Sequence, residues 1–222
     1  MDLSKIPANP SLMMSGGLDS TILAHLLAQE GIRFTGIFMD YGQRNALNSR
    51  RVVNRTARAL SIPLEVISIP GLASSFVGNM DDDYDDYAVI LCEVHEGPFS
   101  FIPIITIASG LAVSFGSNAL LLGYNKSDRD SEEDRYRNTH LIAGHISEMF
   151  SIDRTPKFEV LTPLWDLPKH SVIEMGIRSN IPIEETWSCW DSKPRHCGKC
   201  PGCEDRITAF AQLSTGDPTN YY

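Results

Sequence analysis

Leu12-Met13-Met14-Ser15-Gly16-Gly17-Leu18-Asp19-Ser20-Thr21 is the stretch that decides the fold. A short apolar run stops at Ser15 and two glycines follow. From Thr21 to Glu30, Ile22, Leu23, Leu26 and Leu27 then recur at helical spacing before Gly31. The pattern predicts a strand, a tight turn and a helix with a glycine stop. Two glycines let backbone amides approach an anion, the helix adds its positive N-terminal dipole, and Ser20 reads as the N-cap. A nucleotide loop of the kinase and GTPase type needs glycines spaced around a Lys-Ser/Thr pair, and a dinucleotide fold needs three spaced glycines. Neither pattern is present. A plain glycine turn accounts for the glycines but not for the whole Ser-Gly-Gly-x-Asp-Ser string.

Outward from this junction, short apolar runs alternate with helical patterns. Thr35 to Met39 reads as a second strand. Ala46 to Leu60 reads as an amphipathic helix with Val52, Val53, Ala57 and Leu60 opposite Arg50, Arg51, Asn54 and Arg55, and Leu64 to Ile69 as a third strand. After Pro70 the pattern fails, and Asp81 to Tyr87 is an acidic run without a packing face, read as a solvated loop rather than a site for a cation or basic partner. Pro103 to Phe115 is a buried helix, Ala119 to Leu122 a strand, Lys126 to Asn138 a charged loop, Leu141 to Phe150 a helix, Phe158 to Leu161 a fifth strand and Lys169 to Arg178 a helix. The expected architecture is α/β, a doubly wound and mainly parallel five-stranded sheet. Residues 1–185 form the α/β domain and residues 186–222 a C-terminal helical lobe packed on it in one compact unit.

The chain has 222 residues and a formal charge of −9, which argues against direct nucleic-acid binding. Its longest apolar stretch, Phe101 to Phe115, is interrupted by Pro103, Thr106, Ser109 and Ser114 and is too short to span a membrane. Met1 to Pro7 carries neither a signal nor a lipidation pattern, so a cytoplasmic location is expected. Cys189, Cys197, Cys200 and Cys203 crowd together while Cys92 stands alone. A disulfide-stapled fold would spread its cysteines. Four soft thiolates at short chelate spacings suit one tetrahedral zinc in a closed, structural shell, with redox-active cysteines as the alternative. His196 competes poorly as a ligand because it adjoins Cys197.

Ser15 to Ser20 resembles the pyrophosphate loop of the N-type ATP pyrophosphatases, which cleave ATP between the α and β phosphates and leave an adenylated substrate. The tail narrows the resemblance. Thr186-Trp187-Ser188-Cys189-Trp190, Cys197-Gly198-Lys199-Cys200-Pro201-Gly202-Cys203 with Arg206 to Phe210, and Asp217-Pro218-x2-Tyr221 are similar to the C-terminus of the 7-cyano-7-deazaguanine synthases. Asp40-Tyr41-Gly42-Gln43-Arg44 and Leu161-Thr162-Pro163-Leu164 followed by Lys169 agree, so nearly the full chain is covered. The resemblance implies a Rossmann-like fold of the adenine nucleotide alpha hydrolase kind, ATP with magnesium as co-substrate, one structural zinc and a homodimer. It implies a ligase of the queuosine pathway that adenylates 7-carboxy-7-deazaguanine, adds ammonia to give an amide, and dehydrates that amide to the nitrile. Ser15, Gly16, Gly17, Leu18, Asp19 and Ser20 would hold phosphates, with Asp19 near the metal-phosphate cluster. Tyr41, Gln43 and Arg44 would line the nucleotide or substrate pocket. Lys169 is the candidate for opposing negative charge at the acyl centre, or else a solvated first-turn lysine.

The departures from that family fall on the deazaguanine side. After Arg44 the family usually continues with His and, three residues later, Glu, where Asn45 and Asn48 stand here. Its Pro-x-Arg-Asn string aligns with Pro98-Phe99-Ser100-Phe101, and its Tyr-Pro-Asp-Cys-Arg string is replaced by Ser131 to Arg137. Four readings follow. They are ordinary nitrile synthesis; a paralogue that stops at an amide and conjugates the deazaguanine to a protein amine in an antiphage nucleotide-signalling system; an inactive nucleotide-binding adaptor; and tRNA thiolation through the cysteines.

Overall fold

A computed structural model describes residues 2–72, 101–129 and 139–222. The acidic run at 81–87, Cys92 and the departures at 98–100 and 131–137 lie outside them. Five strands, β1 (Pro10–Met13), β2 (Thr35–Asp40), β3 (Leu64–Ser68), β4 (Ala119–Leu121) and β5 (Glu159–Leu161), form one sheet in the order β3-β2-β1-β4-β5. Every pairing is parallel. The helices are α1 (Leu18–Gln29), α2 (Ala46–Leu60), α3 (Phe101–Ser114), the short α4 (Lys126–Arg129), α5 (Thr139–Phe150), α6 (Lys169–Arg178) and α7 (Pro201–Phe210).

Both faces of the sheet are covered, which is why its inner strands read as continuous apolar runs instead of alternating ones. Leu12, Phe38 and Leu121 point into a core completed by Leu23 and Leu27 of α1, Val53 of α2, Ile173 of α6 and Phe210 of α7. Ile37, Met39 and Leu120 point the other way, onto Ile105 and Ala108 of α3 and Ile146 of α5. The doubly wound α/β architecture expected from the sequence is the one observed. No helix among the described residues is long and apolar enough to cross a membrane.

Four local expectations need correction. The first helix begins at Leu18, not Thr21, and its N-cap is Gly17, not Ser20. Gly17 is extended, so the chain enters the helix three residues early and Ser20 lies inside the first turn. Strand β1 starts at Pro10, which is tolerated because it is the strand's first residue. Helix α3 starts at Phe101, with Pro103 in a first turn whose amides need no intrahelical acceptor. The charged stretch from Lys126 opens with α4. Chain connections leave β1 toward β2 on one side and reach β4 on the other, so the crevice beyond the carboxyl ends of β1 and β4 is where this topology places a ligand.

Candidate active site

The loop after β1 is shaped by two glycines and two serines. Gly16 sits at φ +79°, and a Cβ there would lie 2.7 Å from the Ser49 carbonyl oxygen of α2, so both backbone conformation and space require glycine. Ser20 Oγ accepts from the Ser15 amide at 3.2 Å and lies 3.0 Å from Ser15 Oγ, which in turn accepts from the Gly17 amide at 3.3 Å. These bonds fold the turn over the start of α1. The amides of Leu18, Asp19 and Ser20 belong to the first turn and have no intrahelical acceptor, which leaves a positive, donor-rich helix end.

Asp19 is held from two sides. Its Oδ1 accepts from Nδ2 of the fully buried Asn125 at 3.1 Å, and its Oδ2 lies 3.1 Å from Lys169 Nζ. Asn125 follows β4, accepts from the Ser127 amide at 2.8 Å and donates its own amide to Asp128 Oδ2 at 2.9 Å. Lys169 opens α6 and pairs a second time with Asp205 of α7. Its side chain is 12% exposed, so the structure rejects the solvated reading of this lysine. Burial opposes its charge, but the carboxylates of Asp19, Asp205 and Asp128 hold the ammonium protonated well above its ordinary range. Burial, reinforced by the charge of Asp19, pushes the Asp128 carboxyl up to about 7.

These groups border a cavity of about 560 Å³ beyond the ends of β1 and β4. Ser15, Gly17, Leu18, Asp19, Ser20, Tyr41, Gln43, Arg44 and Lys169 all line it. Gly16 does not, since it packs beneath the loop against α2. The Gln43 amide is committed to its own turn, accepting from the Tyr41 amide at 2.9 Å and donating to the Met39 carbonyl at 3.0 Å. Ile104, Ile105 and Leu122 give the cavity an apolar side, and Trp187, Ser188 and Trp190 also line it. Asp205 and Asn125 were not predicted as site residues. Asp205 reads locally as a carboxylate on the polar side of α7, and only the packing of α7 on α6 brings it to Lys169. Asn125 carried the weaker signal of a polar residue just past a strand's carboxyl end.

The four clustered cysteines converge. Their sulfurs lie within 4.8 Å of one another, with Cys197 to Cys203 and Cys189 to Cys200 each 3.9 Å apart. Sulfurs about 2.3 Å from a tetrahedral ion would stand roughly 3.8 Å apart, so the set fits one ion and is too tight for a multi-iron cluster. Amides of Asp191 and Cys197 donate to Cys189 Sγ at 3.3 and 3.4 Å, the Cys200 amide to Cys197 Sγ at 3.3 Å, and the Trp190 amide to Cys200 Sγ at 3.4 Å. Hydrogen bonds from Cys189 and Cys203 hold the Cys200 thiol well below its ordinary range, while the same contacts push Cys189 up to about 11 and Cys203 higher still. A bound cation would take all four as thiolates and displace these protons. His196 stays out of the cluster, accepting from the Ser188 amide at 3.1 Å and stacking on Trp187. Arg206, ambiguous in sequence, is fully buried and bridges Asp217 at 3.1 Å and Thr186 Oγ1 at 2.7 Å.

A parallel 3-2-1-4-5 sheet with a glycine-serine loop at its switch point defines the pyrophosphate-loop class of nucleotide-binding domains. Solved structures of that class share the fold. The U34-tRNA thiolase NcsA from Methanococcus maripaludis, with its [4Fe-4S] cluster, superposes with a TM-score of 0.56 at 16% identity, covering 94% of this chain and 66% of that one. NMN synthetase from Francisella tularensis gives 0.53 at 15%, covering 94% and 80%. Sequence is more specific. The chain belongs to the QueC family, whose model, described as queuosine biosynthesis protein QueC, matches residues 11–214. It is 27% identical over 226 residues to a 7-cyano-7-deazaguanine synthase of Thermoplasma volcanium, covering 97% of this chain and 92% of that protein. A synthase of the same name from Brucella ovis is 31% identical, with 95% and 92% covered. The one from Campylobacter jejuni is 27% identical, with 94% and 96% covered.

Proposed function

We propose that the chain is an ATP-dependent C–N ligase that adenylates the carboxylate of 7-carboxy-7-deazaguanine, releases pyrophosphate, and passes the acyl group to ammonia with loss of AMP. Activation and dehydration of the resulting amide then give 7-cyano-7-deazaguanine. The observation that carries the proposal is the Lys169–Asp19 pair at the mouth of the serine-glycine loop, inside a cavity large enough for nucleotide and base, in a chain of the QueC family. The first-turn amides and the hydroxyls of Ser15 and Ser20 bind the departing phosphates, where positioning and fixed dipoles do most of the work. Magnesium, when bound, neutralises phosphate charge near Asp19. Lys169, kept protonated by its three carboxylates, opposes the negative charge that develops at the adenylated acyl centre. Asn125 fixes the rotamer of Asp19. Tyr41 and Arg44 form the side of the pocket that receives nucleotide or substrate. Cys189, Cys197, Cys200 and Cys203 would hold a structural zinc, and residues 186–222 act as a lobe closing the pocket of the 1–185 domain.

A second reading, a paralogue that stops at the amide and uses a protein amine, is favoured by one observation. The family's usual His and Glu are replaced by Asn45 and Asn48, and both amides are spent on backbone carbonyls of the cysteine segment. The two readings part in one reaction containing ATP, magnesium, 7-carboxy-7-deazaguanine, ammonium and candidate partner proteins, followed by mass spectrometry. Nitrile with AMP is the expected result. Amide alone, or a deazaguanine-sized adduct on a protein, would replace it with the second reading, and absence of AMP would leave an adaptor.

A further inference from the structure

The segment from Thr186 to Cys200 holds no helix or strand beyond the isolated bridge of His196 to Tyr221. It nevertheless supplies Trp187, Ser188 and Trp190 to the cavity and carries Cys189, Cys197 and Cys200 of the sulfur cluster. Two side-chain amides, one on α2 and one on its N-cap, fasten it to that helix. Asn45 Nδ2 donates to the carbonyl of Cys189 at 2.9 Å, and Asn48 Nδ2 donates to the carbonyls of Ser192 and Lys193 at 3.3 and 3.0 Å. Asn48 is 7% exposed, and its Oδ1 accepts from Arg51 Nη1 at 3.4 Å, so its donor and acceptor groups are both engaged. The neighbouring residues Arg44, Asn45 and Ser49 line the cavity. On the far side the circuit closes through Asp205, Lys169 and Asp19, and through the Trp187 amide on the Gly16 carbonyl at 2.8 Å.

We propose that Asn45 and Asn48 are positioning residues that couple metal occupancy at the four cysteines to nucleotide affinity in the cavity, so that each ligand tightens the other. The proposal deepens the ligase reading above and rests on its zinc and nucleotide. The segment that carries three of the sulfurs also lines the cavity, so a ligand that fixes it at one site fixes it for the other. Coupling of this kind is reciprocal, with one factor in both directions. The hydrogen bonds from α2 transmit it, because they tie the backbone of a metal-ligating residue to the residues beside the nucleotide. A carboxylate in place of the Asn48 amide could not donate to the two carbonyls.

The test uses the full chain, loaded with zinc or stripped by a chelator, with α,β-methylene-ATP and magnesium as the probe. Calorimetry gives the nucleotide Kd of each form, and competition with a chromophoric chelator gives the zinc affinity with and without the analogue. The parent should bind the analogue about tenfold tighter when loaded, and zinc about tenfold tighter with the analogue present. Asn48→Asp, isosteric but without the donors, should reduce both factors below twofold while keeping one zinc per chain and the parent's Kd in the stripped form. Asn45→Ala should give a partial loss, and it carries the test if Asn48→Asp does not fold by circular dichroism. A parent that binds both ligands without coupling, or a variant that retains the coupling, overturns the proposal. A parent that binds no zinc or no nucleotide overturns the ligase reading first, and the coupling with it.

Discussion

The turn of the Ser15–Ser20 loop is closed by hydrogen bonds between residues no more than five positions apart, whereas the Cys189–Lys193 stretch beside the cavity is fastened by Asn45 and Asn48, 144 and 145 positions away. One wall has a turn closed by its own neighbours, with Asp19 on it held by Asn125 and Lys169 from farther along the chain. The other is an irregular stretch that needs sulfur chemistry and long-range bonds to exist. The contrast teaches that the phosphate side of this site should survive damage that erases the side built around the cysteines.

The strongest way to break that contrast is Cys200→Ser. The variant should lose its zinc by metal analysis and its melting temperature should fall on the order of 10 °C, since binding of a structural metal is folding free energy. If the melting temperature stays put, the cysteine side is as self-sufficient as the loop. Lys169→Ala strikes the contact that joins the two sides. AMP formation should drop about 10²–10³-fold, the scale on which removal of one preorganised charge partner acts, with one zinc per chain retained.

Glycine substitutions sharpen the contrast more gently. A Cβ on Gly202 would lie 2.2 Å from the Ser188 carbonyl oxygen, against 2.7 Å from Ser49 for Gly16. Gly16→Ala and Gly202→Ala should each destabilise the chain by about 1–3 kcal/mol in denaturant titrations. Gly202→Ala alone should also weaken zinc retention, and equal zinc loss in both would erase the distinction. The smallest effect is a pH dependence. The Asp128 carboxyl, raised to about 7 in the folded chain, binds its proton more tightly than an unfolded aspartate near 3.8. Its contribution to stability is therefore lost as pH rises from 4 toward 7. In the ligand-free protein, Asp128→Asn should flatten that slope when urea midpoints at pH 5 and 7.5 are compared with the parent.

What the sequence made legible follows the same division. Helices α2 and α6 occupy the residues their apolar spacing predicts, Ala46–Leu60 and Lys169–Arg178, because a helix that covers one face of a sheet announces itself at 3.6-residue period. Apolar spacing alone places the start of α1 three residues late. Ser20 has the chemistry of a cap, but its hydroxyl turns back to Ser15, and a glycine takes the cap position. The cysteines were legible because chelate spacing is itself a local signal. Asn125 under Asp19, Asp205 against Lys169 and the amides of Asn45 and Asn48 on the cysteine segment were not. Each depends on which helix lies beside which, and a side chain's own neighbours in sequence carry no trace of that.

The charged side chains bordering the cavity, among the described residues, are Asp19, Asp128, Asp205, Arg44 and Lys169. Lysine is already matched by two of the acids. Such a vestibule holds no surplus of positive charge to offer a bare polyanion. A triphosphate that brings its own magnesium should therefore bind more tightly than a bare one.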